Sequence, residues 1–109
     1  MAAPGPDFSA YRCGDYLESP SARDGYYSTE NHWWVVIPRE KVEEIVDVSD
    51  KIPLGFLKIG SPGVDGISFG YRRGEEGIWS HAPILNEYQK IANDFPEFLQ
   101  LFKDKHLKW

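Results

Sequence analysis

Seven of the chain's ten glycines fall between Leu54 and Gly77, interleaved with Phe56, Ile59, Ile67, Phe69, Tyr71 and Ile78. Apolar residues at alternate positions, broken by glycine every few residues, describe short strands joined by tight turns. Gly55 to Ile59 reads as one strand, with Leu57 and Ile59 on one face. Ser61-Pro62-Gly63 sets proline and glycine at the central positions of a type II turn, and Asp65-Gly66 is a second turn signal. Gly66 to Arg72 resumes as a strand, with Ile67, Phe69 and Tyr71 on one face and Ser68, Gly70 and Arg72 on the other. Gly70 inside that strand predicts a bulge or a close backbone approach. Arg73-Gly74-Glu75-Glu76-Gly77 turns the chain again, into a third strand from Gly77 to His81. Connections this short pair consecutive strands antiparallel.

The flanks complete the sheet and roof it. Trp33-Trp34-Val35-Val36-Ile37 is aromatic and β-branched, apolar on both faces, and stopped by Pro38. It reads as an interior strand covered on each side. Arg39 to Val46 fits a short helix, with a strand from Ile45 to Val48 as the alternative. Residues 1–31 are punctuated by Pro, Gly and Ser, with one turn of helix at Asp15–Glu18 and a short strand at Gly25–Thr29, and segment 1–12 is expected to be loose. Pro83 to Asn93 fits either helix or strand. Asp94 to Lys105 reads as a helix: Asp94 is an N-cap, Glu97 completes a capping box, and Pro96 sits in the first turn. Phe95, Phe98, Leu99 and Phe102 line one stripe of it, which should pack on the sheet. The expected fold is one α+β domain over 1–109, an antiparallel meander sheet of four to six strands with a C-terminal helix packed on it.

Charge narrows the partners. The net charge is −5, from 17 acidic and 12 basic residues. A nucleic-acid binder needs a basic stripe to displace counterions from phosphates. The one basic concentration is Lys103, Lys105, His106 and Lys108, which suits the end of a helix. Glu40, Glu43, Glu44, Asp47 and Asp50 form the densest acidic stretch. An acidic protein favours basic partners and repels nucleic acid, so no direct nucleic-acid contact is expected. Cys13 is the single cysteine, so no intramolecular disulfide can form. The first residues show no positive region followed by an apolar one, and the longest apolar run, Trp33 to Ile37, is far shorter than a membrane helix. A cytoplasmic address without membrane contact is the expectation.

Residues able to carry chemistry are sparse. His32, His81 and His106 lack metal-ligand spacing. The Gly60–Gly66 segment lacks the Gly-Lys-Ser/Thr ending that cradles phosphates. Cys13 as a nucleophile would need a held geometry, and it lies in a segment expected to be mobile. Asp65, Glu75 and Glu76 offer carboxylates in loops. Tyr71, Arg72 and Trp79 lie on adjacent expected strands, and aromatics beside an arginine are frequent at binding hot spots. No catalytic residue, metal or cofactor is expected.

Leu57-Lys58-Ile59-Gly60 followed by Gly66-Ile67-Ser68-Phe69-Gly70-Tyr71 resembles the strand–turn–strand of the SUKH superfamily, which includes bacterial immunity proteins and yeast cell-wall synthesis regulators. Gly77-Ile78-Trp79 looks like the family's next strand. Ile91 to Leu99 resembles its closing strand and helix, which favours a strand at Tyr88–Ala92. The resemblance spans about residues 54–102; the family's usual N-terminal Leu-Pro-x-x-Tyr-type segment and Asn-Gly-Gly are not found. It implies a non-enzymatic protein-binding domain, an immunity protein that neutralises a toxin by direct contact. A basic toxin such as a nuclease would suit an acidic binder. On that expectation Glu40, Glu43, Glu44 and Asp47 steer the partner, and Trp34, Tyr71 and Trp79 contact it. Two alternatives stand beside it: a small enzyme or ligand-binding domain using Asp65, Tyr71 and His81 in a pocket beside the sheet, and a homodimeric structural module pairing through an edge strand or the aromatic surface.

Overall fold

The computed structural model describes residues 8–30, 32–47, 54–63, 66–82 and 87–109. Its frame is an antiparallel sheet with helices on one face. The strands are β1 (Tyr26–Ser28), β2 (Trp33–Val36), β3 (Glu43–Asp47), β4 (Leu54–Gly60), β5 (Ser68–Arg72), β6 (Ile78–Ala82) and β7 (Glu87–Ala92). Their order is β1-β2-β4-β5-β6-β7, with β3 also paired to β4. Strands β4 to β7 form the meander that the glycine-rich stretch predicts, and β7 settles the 83–93 ambiguity as strand, with residues 83–86 outside the described residues.

Among the described residues the sheet is six strands wide, as expected, and β3 adds a seventh strand because β2 and β3 run one after the other along the same edge of β4. Val36 sits opposite Gly60, and Glu43 to Asp47 sit opposite Lys58 to Leu54. Between them Pro38, which has no N–H for a ladder, starts an excursion. That excursion holds a single 3-10 turn, Arg39–Lys41, in place of the helix expected over Arg39–Val46. Past the turn, Glu43 to Val46 finds the edge of β4 and pairs with it residue by residue. The strand alternative therefore holds, starting two residues earlier than expected and ending at Asp47, with Val48 outside the described residues.

Among the described residues three helices cover one face: α1 (Gly14–Leu17), α2 (Pro20–Asp24) and α3 (Phe95–Lys103). In α3 the expected cap is present, the Asp94 side chain accepting from the Glu97 N–H at 2.8 Å. Glu97 reaches back to the N–H of Asn93 at 3.2 Å. Phe95 and Phe98 are buried, and Leu99 and Phe102 pack at the core margin. The Phe98 ring meets Phe69 of β5 edge-on at 5.0 Å, and Phe95 meets Tyr16 of α1 at 5.3 Å.

Asp15 ties the layers together. One carboxylate oxygen accepts from the Tyr71 hydroxyl at 2.7 Å and from the Tyr16 N–H at 2.8 Å. The other accepts from the Phe95 N–H at 2.7 Å. That amide is one of the first-turn donors that a helix leaves unpaired, and a carboxylate there also complements the helix dipole. Cys13, expected in a mobile segment, is buried against this junction, with its thiol against the Phe8 carbonyl at 3.5 Å. Of segment 1–12, residues 1–7 lie outside the described residues. Phe8–Ala10 form a 3-10 turn, and Tyr11 is buried with its hydroxyl donating to Glu44 at 2.6 Å.

Candidate functional site

Cross-strand partners share a face of a sheet, and so do residues two apart. The register therefore sorts side chains into a helix-covered face and an open one. Leu57, Phe69, Tyr71 and Ser80 face the helices. Glu43, Ile45, Phe56, Lys58, Gly70, Arg72, Trp79, His81, Tyr88 and Lys90 share the open face.

At one end of the molecule, β1 and β2 carry an aromatic corner. Tyr27, Trp33 and Trp34 are 43%, 46% and 50% exposed. β2 was expected to be covered on both sides; Val35 and Val36 are buried, but the two indoles are not. A register shift between Tyr26 and Tyr27 accompanies this change along the strand. The rings are nevertheless seated. Trp34 meets Tyr27 edge-on at 5.2 Å. Trp34 lies on Gly25 (φ 74) and Trp33 on Gly63 (φ 82), where an added Cβ would stand 3.0 Å from each indole. Positive φ and bare backbone under the rings make both glycines necessary there. Ser61 steadies the second seat, accepting from the Gly63 N–H at 3.0 Å and donating to the Ile67 carbonyl at 2.8 Å. The three rings, Ile37 and Lys58 line a cleft of about 440 Å³. A neighbouring cleft beyond Trp34 is bordered by Pro38, Glu40 and Lys41.

The second grouping lies across the middle of the open face. Phe56 is fully buried although no helix among the described residues covers it. It lies against Gly70, where a Cβ would stand 3.0 Å from its Cζ and run into the Leu57 carbonyl oxygen; this is the close approach that Gly70 predicts. His81 and Tyr88 pack on Phe56 at 5.8 and 5.6 Å and stack on each other at 4.6 Å, 22° from parallel. The Arg72 guanidinium lies over Tyr88 at 4.5 Å and over Trp79 at 5.1 Å. The Trp79 indole N–H donates to the Glu76 carbonyl at 3.0 Å.

The expected contact residues are distributed unevenly over these surfaces. Trp34 is in the aromatic corner, Glu40 is exposed beside it, and Glu43 is exposed on the open face. Asp47 ends β3 opposite Leu54. Glu44 is engaged internally, taking the Tyr11 hydroxyl and the Arg73 guanidinium at 2.6 and 2.8 Å. That bridge holds the Arg73 pKa above its ordinary value. Tyr71 is 0% exposed, so it cannot touch a partner surface. Burial first, then the Asp15 carboxylate, pushes its pKa up and keeps the hydroxyl a donor. Trp79 is half-buried on β6, three strands from β2, about 14 Å at the usual strand spacing.

The pocket expected from Asp65, Tyr71 and His81 is not assembled. Tyr71 and His81 point to opposite faces of the sheet, and Asp65 lies outside the described residues. Burial, with Asp15 adding to it, pushes the Cys13 thiol up to about 11, which keeps it protonated and poorly nucleophilic near neutral pH. Among the described residues no three His, Cys, Asp or Glu side chains gather as metal ligands, and no helix is long and apolar enough to cross a membrane.

Sequence reasoning singled out Trp34, Arg72 and Trp79 but missed Tyr27, Tyr88 and the seat residues Gly25 and Gly63. The signal for the aromatic corner was present in Tyr26-Tyr27 followed by Trp33-Trp34, two aromatic pairs on neighbouring strands. No protein-family model, no curated protein and no solved structure matches the chain.

Proposed function

We propose that this chain is a non-enzymatic protein-binding domain, and that the SUKH-like resemblance identifies its role as an immunity protein that neutralises a toxin by direct contact in the cytoplasm. The observation that carries the binding reading is the aromatic corner. Tyr27, Trp33 and Trp34 are each almost half exposed, while the two indoles are seated on glycine backbone and Tyr27 packs edge-on against Trp34. Contiguous exposed aromatics mark interaction surfaces, and tryptophan and tyrosine dominate interface hot spots because they bury much area for little lost conformational freedom.

The partner is a basic protein such as a nuclease toxin. Glu40 beside Trp34, Glu43 on the open face and the net charge of −5 attract a cationic surface and speed its approach. Trp34 and Trp33 then anchor it. Trp79 belongs to a separate grouping and is outside this contact.

The test is titration calorimetry of the purified chain against the toxin encoded beside its gene, with a growth-protection assay in parallel. Binding should be submicromolar, slower to form in high salt, and weakened by about 30-fold in Trp34→Ala. Purified proteins that do not associate, or wild-type chain that protects no cell, would reject the immunity role. Binding that survives loss of both indoles would reject the site.

A further inference from the structure

The open face carries a feature that the toxin-binding reading does not use. Elsewhere among the described residues Arg12 pairs with Glu76, Arg23 with Asp24, Arg73 with Glu44 and Lys105 with Glu30, while Arg39 and Lys103 lie over aromatic rings. Arg72, Lys58 and Lys90 share the open face by register, and none of them has a carboxylate partner among the described residues. Register places two acidic residues on the same face, Glu43 opposite Lys58 and Asp47 opposite Leu54, both on β3 at its far side. Arg72 on β5 and Lys90 on β7 are left unopposed, in a chain of net charge −5.

Arg72 is also preorganised. Its guanidinium carbon lies over the rings of Tyr88 and Trp79, and Tyr88 is stacked in turn on His81. A guanidinium held over two aromatic rings has less freedom to surrender on binding than a solvated one, and its N–H groups can make bidentate contact with a carboxylate or phosphate. Two features favour carboxylate on a peptide over nucleic acid. The negative net charge repels a polyphosphate. The ring faces that would stack bases are occupied by His81 and Arg72.

We propose that the open sheet face is a receptor for an acidic peptide segment, with Arg72 binding one carboxylate by its guanidinium edge and Lys90 a second. Lys90 lies in register with Trp79 and Gly70, two strand spacings across and two residues along from Arg72, so the two Cα positions are about 12 Å apart, a gap that the two long side chains can shorten. Carboxylates two or three residues apart on an extended peptide span about 7–10 Å and so reach both cations. Arg72 and Lys90 lie outside the aromatic corner, whose cleft the third cation, Lys58, lines, and the occupant of this surface is of opposite charge to the toxin.

The experiment is an NMR titration of the 15N-labelled full chain with a synthetic Ser-Glu repeat hexapeptide. A Ser-Gln repeat and a thymidine hexanucleotide are the comparison ligands. The Arg72 and Lys90 amides and the Trp79 indole N–H should shift with Ser-Glu alone. Arg72→Gln should weaken binding roughly tenfold, Arg72→Lys by less, because the charge stays while the planar fork is lost. Lys90→Gln, on an exposed edge strand, should weaken it severalfold without touching the aromatic packing, and Trp34→Ala should leave it unchanged. Shifts that are absent at millimolar peptide, equal with Ser-Gln, unaffected by both Arg72→Gln and Lys90→Gln, or stronger with the oligonucleotide would each overturn the proposal.

Discussion

The two faces of one sheet solve the same problem differently. On the helix side, polar groups that enter the core have fixed partners: the Tyr71 hydroxyl has Asp15, and the Tyr16 hydroxyl donates to the Ile37 carbonyl at 2.6 Å. On the open side, His81 and Tyr88 pack on Phe56, and the Arg72 guanidinium lies over Tyr88. Strand β5 shows both at once, since Ser68 to Tyr71 are all buried although only alternate residues face a helix. A face closed by elements is rigid and spends its polar groups on the fold. A face closed by its own long side chains keeps charged edges available.

The largest expected effect separates the two ways of sealing. Phe98→Ala should cost about 3–5 kcal/mol, because α3 cannot collapse into the space left against Phe69 and Phe95. Phe56→Ala, equally buried, should cost about 2–3 kcal/mol, because Tyr88 and His81 can settle towards Gly70. Urea unfolding measures both. Equal losses would erase the distinction between a helix roof and a side-chain roof.

Next in size is the helix-side junction. Asp15→Ala leaves the Tyr71 hydroxyl and the Phe95 N–H without acceptors, a loss of about 2–4 kcal/mol. Asp15→Asn keeps one carbonyl acceptor and should cost less. If the two variants unfold at the same urea concentration as wild type, Asp15 is not what binds α1, β5 and α3 together.

The helix side also sets the alkaline limit. The Cys13 thiol titrates at an ordinary 9.0 when unfolded and at about 11 in the fold. Tyr11, Tyr16 and Tyr71 are likewise shifted upward from 10.0, chiefly by burial. In every case the folded state holds its proton longer than the unfolded state. Stability is therefore full below about pH 9 and falls as pH rises through 11. Melting temperatures from pH 8 upward should decline, and Tyr71→Phe should flatten the decline. A melting temperature constant to pH 11 would contradict the burial of these groups.

How much of this was readable along the chain depended on range. The α3 cap was legible because Asp94 and Glu97 are three residues apart and their bonding is local. The meander was legible because glycine turns and period-two apolar residues are both short-range signals. Glu43-Glu44-Ile45-Val46 was not decided locally: it fits a helix turn or a strand, and the free edge of β4 chose. Asp15 gave no signal, since its partners lie at 71 and 95. The Arg72 grouping was half legible. Arg72 and Trp79 stood out, but Tyr88 and His81 join them only through the β6–β7 register.

The smallest effect is the one that most sharpens the comparison. Arg72 and Arg73 are neighbours in the chain and opposites in role. Arg73→Gln removes the partner of Glu44 and loosens Tyr11, so it should destabilise the fold, and added salt should shrink the difference from wild type. Arg72→Gln removes two cation–π contacts, each about 0.5–1 kcal/mol at an exposed site. It also relieves the repulsion among Arg72, Lys58 and Lys90, so the net cost should be only about 0.5 kcal/mol. Wild-type stability in Arg72→Gln, joined to lost peptide binding, would mean the chain keeps this guanidinium for recognition. A loss larger than that of Arg73→Gln would instead make Arg72 a structural clamp, and the open face would be a second core rather than a surface.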